Sequence, residues 1–169
     1  SMSMLLEAVV ACCLIALAVK YDTLMVTGLV EGVEVHLYTA SAVMAIAILL
    51  VASYIEGLRL PFDIPEAEPE IVEGLLVEYS GRKLALAQLT IMTKQFILLS
   101  LIASLIEPWS SKSLILGLPA FLGKITLLYL VFALVEPLYG RYRIDHALRY
   151  LGFLLSFAII TLILCVLGV

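Results

Sequence analysis

Five long apolar runs separated by polar turns set the first expectation. They cover roughly 4–20, 37–55, 86–107, 114–136 and 147–168, and each is near the length of about 20 residues that a helix needs to cross a bilayer. Hydrocarbon offers a backbone no hydrogen-bonding water, so a spanning run of this kind reads as a helix. The pattern predicts an all-α, polytopic protein with about five transmembrane helices, forming a single membrane domain over 1–169. The first run has no basic leader and no small-residue cleavage site, so it reads as a span rather than a signal peptide. A mixed segment, 21–36, joins the first two runs and holds Asp22, Glu31, Glu34 and two glycines. Short turns follow the third run (108–113) and the fourth (around Arg141 and Arg143). The connection over 56–85 is different: it is long and acidic, and 56–83 carries half of all the acids in the chain.

Composition strengthens the membrane reading. Of 169 residues, 63% are hydrophobic and only 14% charged, with a mean hydropathy of +1.14; globular domains are about half apolar and a quarter charged. One soluble core of this size cannot hide so much apolar surface, which leaves lipid. The net charge of −4 argues against a nucleic-acid partner, which calls for a basic face. Cys12, Cys13 and Cys165 sit inside apolar runs with no CxxC or Cys/His cluster, so they read as packing residues, and no iron–sulfur or zinc site is expected within this chain.

Basic residues give the orientation. The connections after the second and fourth runs lie on one side, because two crossings separate them. They carry Arg59, Arg82, Lys83, Arg141 and Arg143, with Arg149 just inside the last run, whereas the opposite connections carry only Lys20 and Lys112. The acidic loop 56–85 and the amino terminus are therefore expected in the cytoplasm, and the carboxy terminus outside.

Within that loop, Pro61, Pro65 and Pro69 forbid one continuous helix. Asp63 ahead of Ile64-Pro65 offers a helix cap, with Pro65 and Glu66 suited to the first turn. A short helix from there places Glu66, Glu70 and Glu73 on one face, at spacings of four and three. Like charges so close raise one another's pKa, and crowded carboxylates can share and pass protons. A solvated acidic loop is the plainer alternative. Against it, Phe62, Ile64, Ile71, Val72, Leu75 and Leu76 are interleaved with the charges, which suggests that the loop folds back onto something apolar. Spacing alone leaves both readings open.

The run Pro61-Phe62-Asp63-Ile64-Pro65-Glu66-Ala67-Glu68, followed by Val77-Glu78-Tyr79-Ser80-Gly81, resembles the signature loop of the H subunit of bacterial NADH:quinone oxidoreductase, respiratory complex I. It is similar as well to the equivalent subunit of membrane-bound energy-converting hydrogenases and their ferredoxin-dependent relatives. The resemblance extends along the chain. Ser3-Met4-Leu5-Leu6-Glu7 is similar to the start of the family's fourth span, Gly123-Lys124-Ile125 to the lysine of its seventh, and Val135-Glu136-Pro137 with Arg141-Tyr142-Arg143-Ile144-Asp145 to the turn that follows. Two departures stand out. Glu68-Pro69-Glu70 replaces the usual Glu-Ala-Glu-Gln-Glu, and about three amino-terminal spans of the family have no counterpart here, as in a split subunit or a fragment. The chain resembles the carboxy-terminal half.

The resemblance implies a coupling subunit, itself without a redox centre, in a redox-driven ion pump. Iron–sulfur clusters are expected in partner subunits of a cytoplasmic arm, and no cofactor or metal in this chain. Arg59, Asp63, Glu66, Glu68, Glu70, Glu73, Glu78 and Tyr79 of the loop would sense the redox chemistry. Glu7, Lys94, Lys124 and Glu136, ionisable groups within or at the ends of apolar runs, would relay it towards antiporter-like membrane subunits. Such charges are costly in hydrocarbon and normally find partners. Lys124 is the deepest, whereas Lys94 either functions or snorkels to the cytoplasmic face. Glu107 reads as interfacial, and His36 and His146 as hydrogen-bonded edge residues. The quinone-reducing branch of the family would line a quinone chamber and the hydrogenase branch would not; Glu136 leans towards the latter. A free-standing small transporter or a passive membrane anchor is the alternative. A second polypeptide is expected to supply the missing spans, packed against the small residues Ala40, Ser41, Ala42, Ala45 and Ala47.

Overall fold

The computed structural model describes residues 2–25, 28–29, 39–62, 81–106, 114–138, 140 and 144–168. Its long elements are α1 (Met2–Tyr21), α2 (Ala40–Glu56), α3 (Arg82–Leu105), α4 (Leu114–Val135) and α5 (Ile144–Val166), with a 3₁₀ turn, Glu136–Leu138, closing α4. No strand occurs among the described residues. Four helical stretches are long and apolar enough to cross a membrane: Ser3–Tyr21, Arg82–Leu105, Gly117–Leu138 and Asp145–Val166. The protein is a multi-pass, all-helical membrane protein.

The second apolar run differs from its expected span. Helix α2 has 17 residues, and at about 1.5 Å per residue it reaches about 25 Å, short of the ~30 Å hydrocarbon core. Its position explains this. α2 packs against α1, α3 and α5, and a helix covered by protein need not match the bilayer. Ser41, Ala42, Ala45 and Ala52 are buried along it, and small residues of this kind let helix backbones approach closely. Ser41, Ala42 and Ala45 therefore face this chain's own helices, not the partner expected on that side, while Ala40 and Ala47 remain exposed. α1 also packs along α5, and Leu17, Leu49, Ile55, Leu99, Ile102 and Leu151 form the fully buried core. At one end of the bundle the Lys20 ammonium donates to Ser41 Oγ, tying the end of α1 to the start of α2.

The long loop is shorter than its polarity suggested. Glu56 closes α2, and Arg82 to Ala85 open α3; arginine, lysine and alanine are good helix formers and extend a helix beyond its apolar stretch. Gly81 starts α3 with φ 60, a left-handed conformation that glycine adopts without steric cost. The first half of α3, through Thr93, buries no side chain, and α4 buries only Ile125 and Phe132 among residues 117–135. These two helices are the least covered by the chain itself. The motif residues from Asp63 to Ser80, together with His36, Glu107, Lys112, Arg141 and Arg143, lie outside the described residues.

Candidate functional site: an ion-pair cluster at the end of α2

The last turn of α2 begins the site. A Cβ on Gly57 would come within 2.3 Å of Gln95 Nε2, so the glycine lets the end of α2 lie directly against α3. Leu58 takes a positive φ of 50 and turns the chain back. The Phe62 N–H then donates to the Arg59 carbonyl at 2.8 Å, and the Tyr54 hydroxyl donates to the Leu60 carbonyl. Phe62 is 4% exposed and meets the Tyr150 ring of α5 at 5.4 Å, while Tyr54 meets Phe132 of α4 edge-on at 5.1 Å. Aromatic contacts to α4 and α5 thus hold the turn 59–62 in place. At the root of the acidic loop, Phe62 is buried on an apolar surface; the other interleaved apolar residues, Ile64, Ile71, Val72, Leu75 and Leu76, lie outside the described residues.

Held this way, Arg59 reaches α4. Its Nη1 lies 2.7 Å from Glu136 Oε2, with the two side chains 25% and 33% exposed, and its guanidinium lies 5.9 Å from the centre of the Tyr129 ring. On the other side of the turn, Lys94 of α3 donates to Glu7 of α1 at 3.1 Å and pairs with Glu56 of α2. The Glu56 side chain is only 7% exposed. Its second oxygen, Oε2, has no hydrogen-bond partner among the described residues, and neither has Gln95 Nε2, which lies against Gly57. Two carboxylates from different helices therefore share one ammonium, with an acceptor and a donor left over that water can satisfy. A cavity of about 320 Å³ adjoins the turn, lined by residues that include Leu50, Val51, Phe62, Val131, Val135 and Tyr150.

The NADH dehydrogenase family, by its sequence model, matches residues 1–166. The chain belongs to that family. Within the NADH dehydrogenase family it is 35% identical over 124 residues to hydrogenase-4 component C of Escherichia coli K12, a match covering 69% of this chain and 39% of that protein. It is 35% identical over 109 residues to formate hydrogenlyase subunit 4 of the same organism, covering 61% of this chain and 36% of that one. An H subunit of the NADH-quinone oxidoreductase of Geobacter sulfurreducens is 30% identical over 107 residues, with 63% and 31% covered. The chain thus spans well under half the length of the curated relatives it matches. By name, these NADH dehydrogenase family members are components or subunits of larger assemblies.

Several residues singled out from the sequence converge in this member of the NADH dehydrogenase family: Arg59 on Glu136, and Glu7 on Lys94. Lys94 does not merely snorkel; its ammonium is occupied by acids from two neighbouring helices. Lys124 joins neither group and has no ion-pair partner among the described residues. Asp63, Glu66, Glu68, Glu70, Glu73, Glu78 and Tyr79 lie outside the described residues. Sequence reasoning passed over Glu56, Gln95 and Tyr54. Glu56 opens the polar stretch and so read as a loop residue, although its place directly after an apolar run and before Gly57 was a signal of a helix end. Cys12 is half-buried in α1, Cys13 buried beside it, and Cys165 buried in α5; no group of three or more His, Cys, Asp or Glu side chains among the described residues is arranged to hold a metal ion.

Proposed function

We propose that this chain is the membrane coupling subunit of a multisubunit, redox-driven ion pump, and that it carries no redox centre of its own. In this reading the amino terminus and loop 56–85 face the cytoplasm, beneath an arm whose subunits contain iron–sulfur clusters. Antiporter-like membrane subunits lie alongside, and another polypeptide supplies about three further spans. Electron transfer in the arm alters the charge or conformation of the loop acids, Glu66, Glu68, Glu70 and Glu73 among them. The change passes through the loop root at Arg59 to the ionisable groups between the helices.

One observation carries the reading. The root of the loop, Arg59, and Glu56, one of the two acids on Lys94, are joined by a single turn at the end of α2. Any displacement of the loop root therefore moves Glu56 relative to Lys94, and a change at Lys94 is felt at the loop. Membership of a family whose members include complex I and hydrogenase subunits supports the same reading. A passive anchor would have no need of an ammonium shared between a buried acid, Glu56, and an acid of a second helix, Glu7.

The test is made in the intact complex purified from its native membrane. Iron–sulfur subunits should copurify with this chain. Glu7→Gln and Glu66→Gln preserve shape and hydrogen bonding while removing a titratable charge. Each is expected to leave the complex assembled and electron transfer active, and to lower ions moved per electron by about tenfold or more, the order of a lost charged contact. Normal pumping per electron in either variant would remove that residue from the relay.

A further inference from the structure

Lys124 is the intramembrane charge that the cluster at the end of α2 leaves unused. It lies near the middle of α4, about 15 Å from either end at about 1.5 Å per residue. A lysine stem spans only part of that distance, so snorkelling does not bring the ammonium to water. The residue is half-buried, and no acid pairs with it among the described residues. The acids outside the described residues all belong, by sequence, to the connections between the apolar runs, except Glu107, which ends the third run.

The surroundings of Lys124 have the form of a seat for a helix. Spacings of seven and eleven place it on the same face of α4 as Val131 and Val135. Those two valines wall the 320 Å³ cavity, which Leu50 and Val51 of α2 also line and Tyr150 of α5 closes from the other side. Away from the cavity, the same face of α2 continues as Val43 and Ala47, which are exposed although α2 is otherwise largely buried. α4 packs along α3 and makes no extended contact with α5. An open cleft thus runs between α4 and α5, floored by small and β-branched residues of α2, with one charge at mid-depth on its wall.

We propose that a transmembrane helix of a separate membrane subunit lies in this cleft and sets an Asp or Glu side chain against the Lys124 ammonium. The proposal rests on the reading of the chain as one subunit of a larger complex. Charge decides the occupant. A lipid tail fills an apolar cleft, but its charges stay in the headgroup layer and bring nothing to the middle of the bilayer. Only a helix carries a carboxylate to that depth with its own backbone satisfied, and Ala47 permits its close approach.

The experiment treats the purified complex with a membrane-permeant carbodiimide. The reagent activates a carboxylate, and a lysine amine in contact with it then forms an amide while the reagent leaves as its urea. Mass spectrometry of the peptide containing Lys124 is expected to find it joined to an Asp or Glu in an apolar segment of another polypeptide. In parallel, Lys124→Met should lower the amount of that subunit retained on gel filtration by about tenfold, as expected for a lost interhelical polar contact, and Lys124→Arg should retain it. A cross-link to a carboxylate of this same polypeptide, an unlinked Lys124 in an otherwise intact complex, or full retention in Lys124→Met would each overturn the proposal alone. A preparation in which this chain is stable with no other subunit would instead overturn the wider reading on which it rests.

Discussion

Lys94 stands about 18 Å along α3 at about 1.5 Å per residue, too far from the helix start for its ammonium to escape to water, and it holds Glu56 and Glu7 in compensation. Because Glu56 is almost wholly buried, removing its cation leaves an uncompensated charge in a medium that screens poorly. Lys94→Met is expected to lower stability by about 3 kcal/mol, read as a fall in the thermal midpoint of the complex in detergent. The double variant Lys94→Met, Glu56→Gln should regain most of that loss. Equal midpoints for the single and double variants would mean that the Glu56 carboxylate is satisfied by something other than Lys94. The individual members of the cluster were partly legible in the sequence, because a Glu7 or a Lys94 inside an apolar run is conspicuous. Their pairing was not, since it joins residues far apart in the chain through helix packing that no local spacing encodes.

At the scale of elements, each long helix among the described residues falls on an apolar run, and α4 lies within a residue of its expected limits. The misjudged boundaries on either side of the acidic loop involve charged residues. Glu56, Arg82 and Lys83 look like loop to a hydropathy count yet belong to helices, because a helix is closed by its hydrogen bonds and not by its polarity. The turn at 59–62 depends on two kinds of attachment, the Arg59–Glu136 pair and the aromatic contacts of Phe62 and Tyr54. The pair is partly solvated, so Arg59→Ala should cost about 1 kcal/mol or less in global stability. It should nevertheless loosen the loop root: limited proteolysis between Gly57 and Phe62 is expected to accelerate several-fold, roughly the factor that such a free energy implies. An unchanged cleavage rate would assign the anchoring to the aromatic residues alone.

For the whole molecule, composition alone pointed to a membrane protein, and four stretches long and apolar enough to span bear this out. The central position of the short helix α2 was not legible, because α2 is as apolar as its neighbours and hydropathy does not distinguish a helix facing protein from one facing lipid. Orientation is open to a direct check. Leu24, just past α1, is 91% exposed, and Arg82 begins α3 at the opposite end of the bundle. In intact cells, Leu24→Cys should react with an impermeant maleimide and Arg82→Cys should react only after the membrane is opened. The reverse pattern would place the acidic loop outside and remove it from any cytoplasmic arm.

Sharing one ammonium between two carboxylates makes the Glu7–Lys94–Glu56 trio an odd set of charges. With both acids ionised it carries one surplus negative charge, set by the number of its members and not by their geometry. Replacing Glu7 with an uncharged residue removes that surplus without breaking the remaining pair, because Lys94 and Glu56 then balance by themselves.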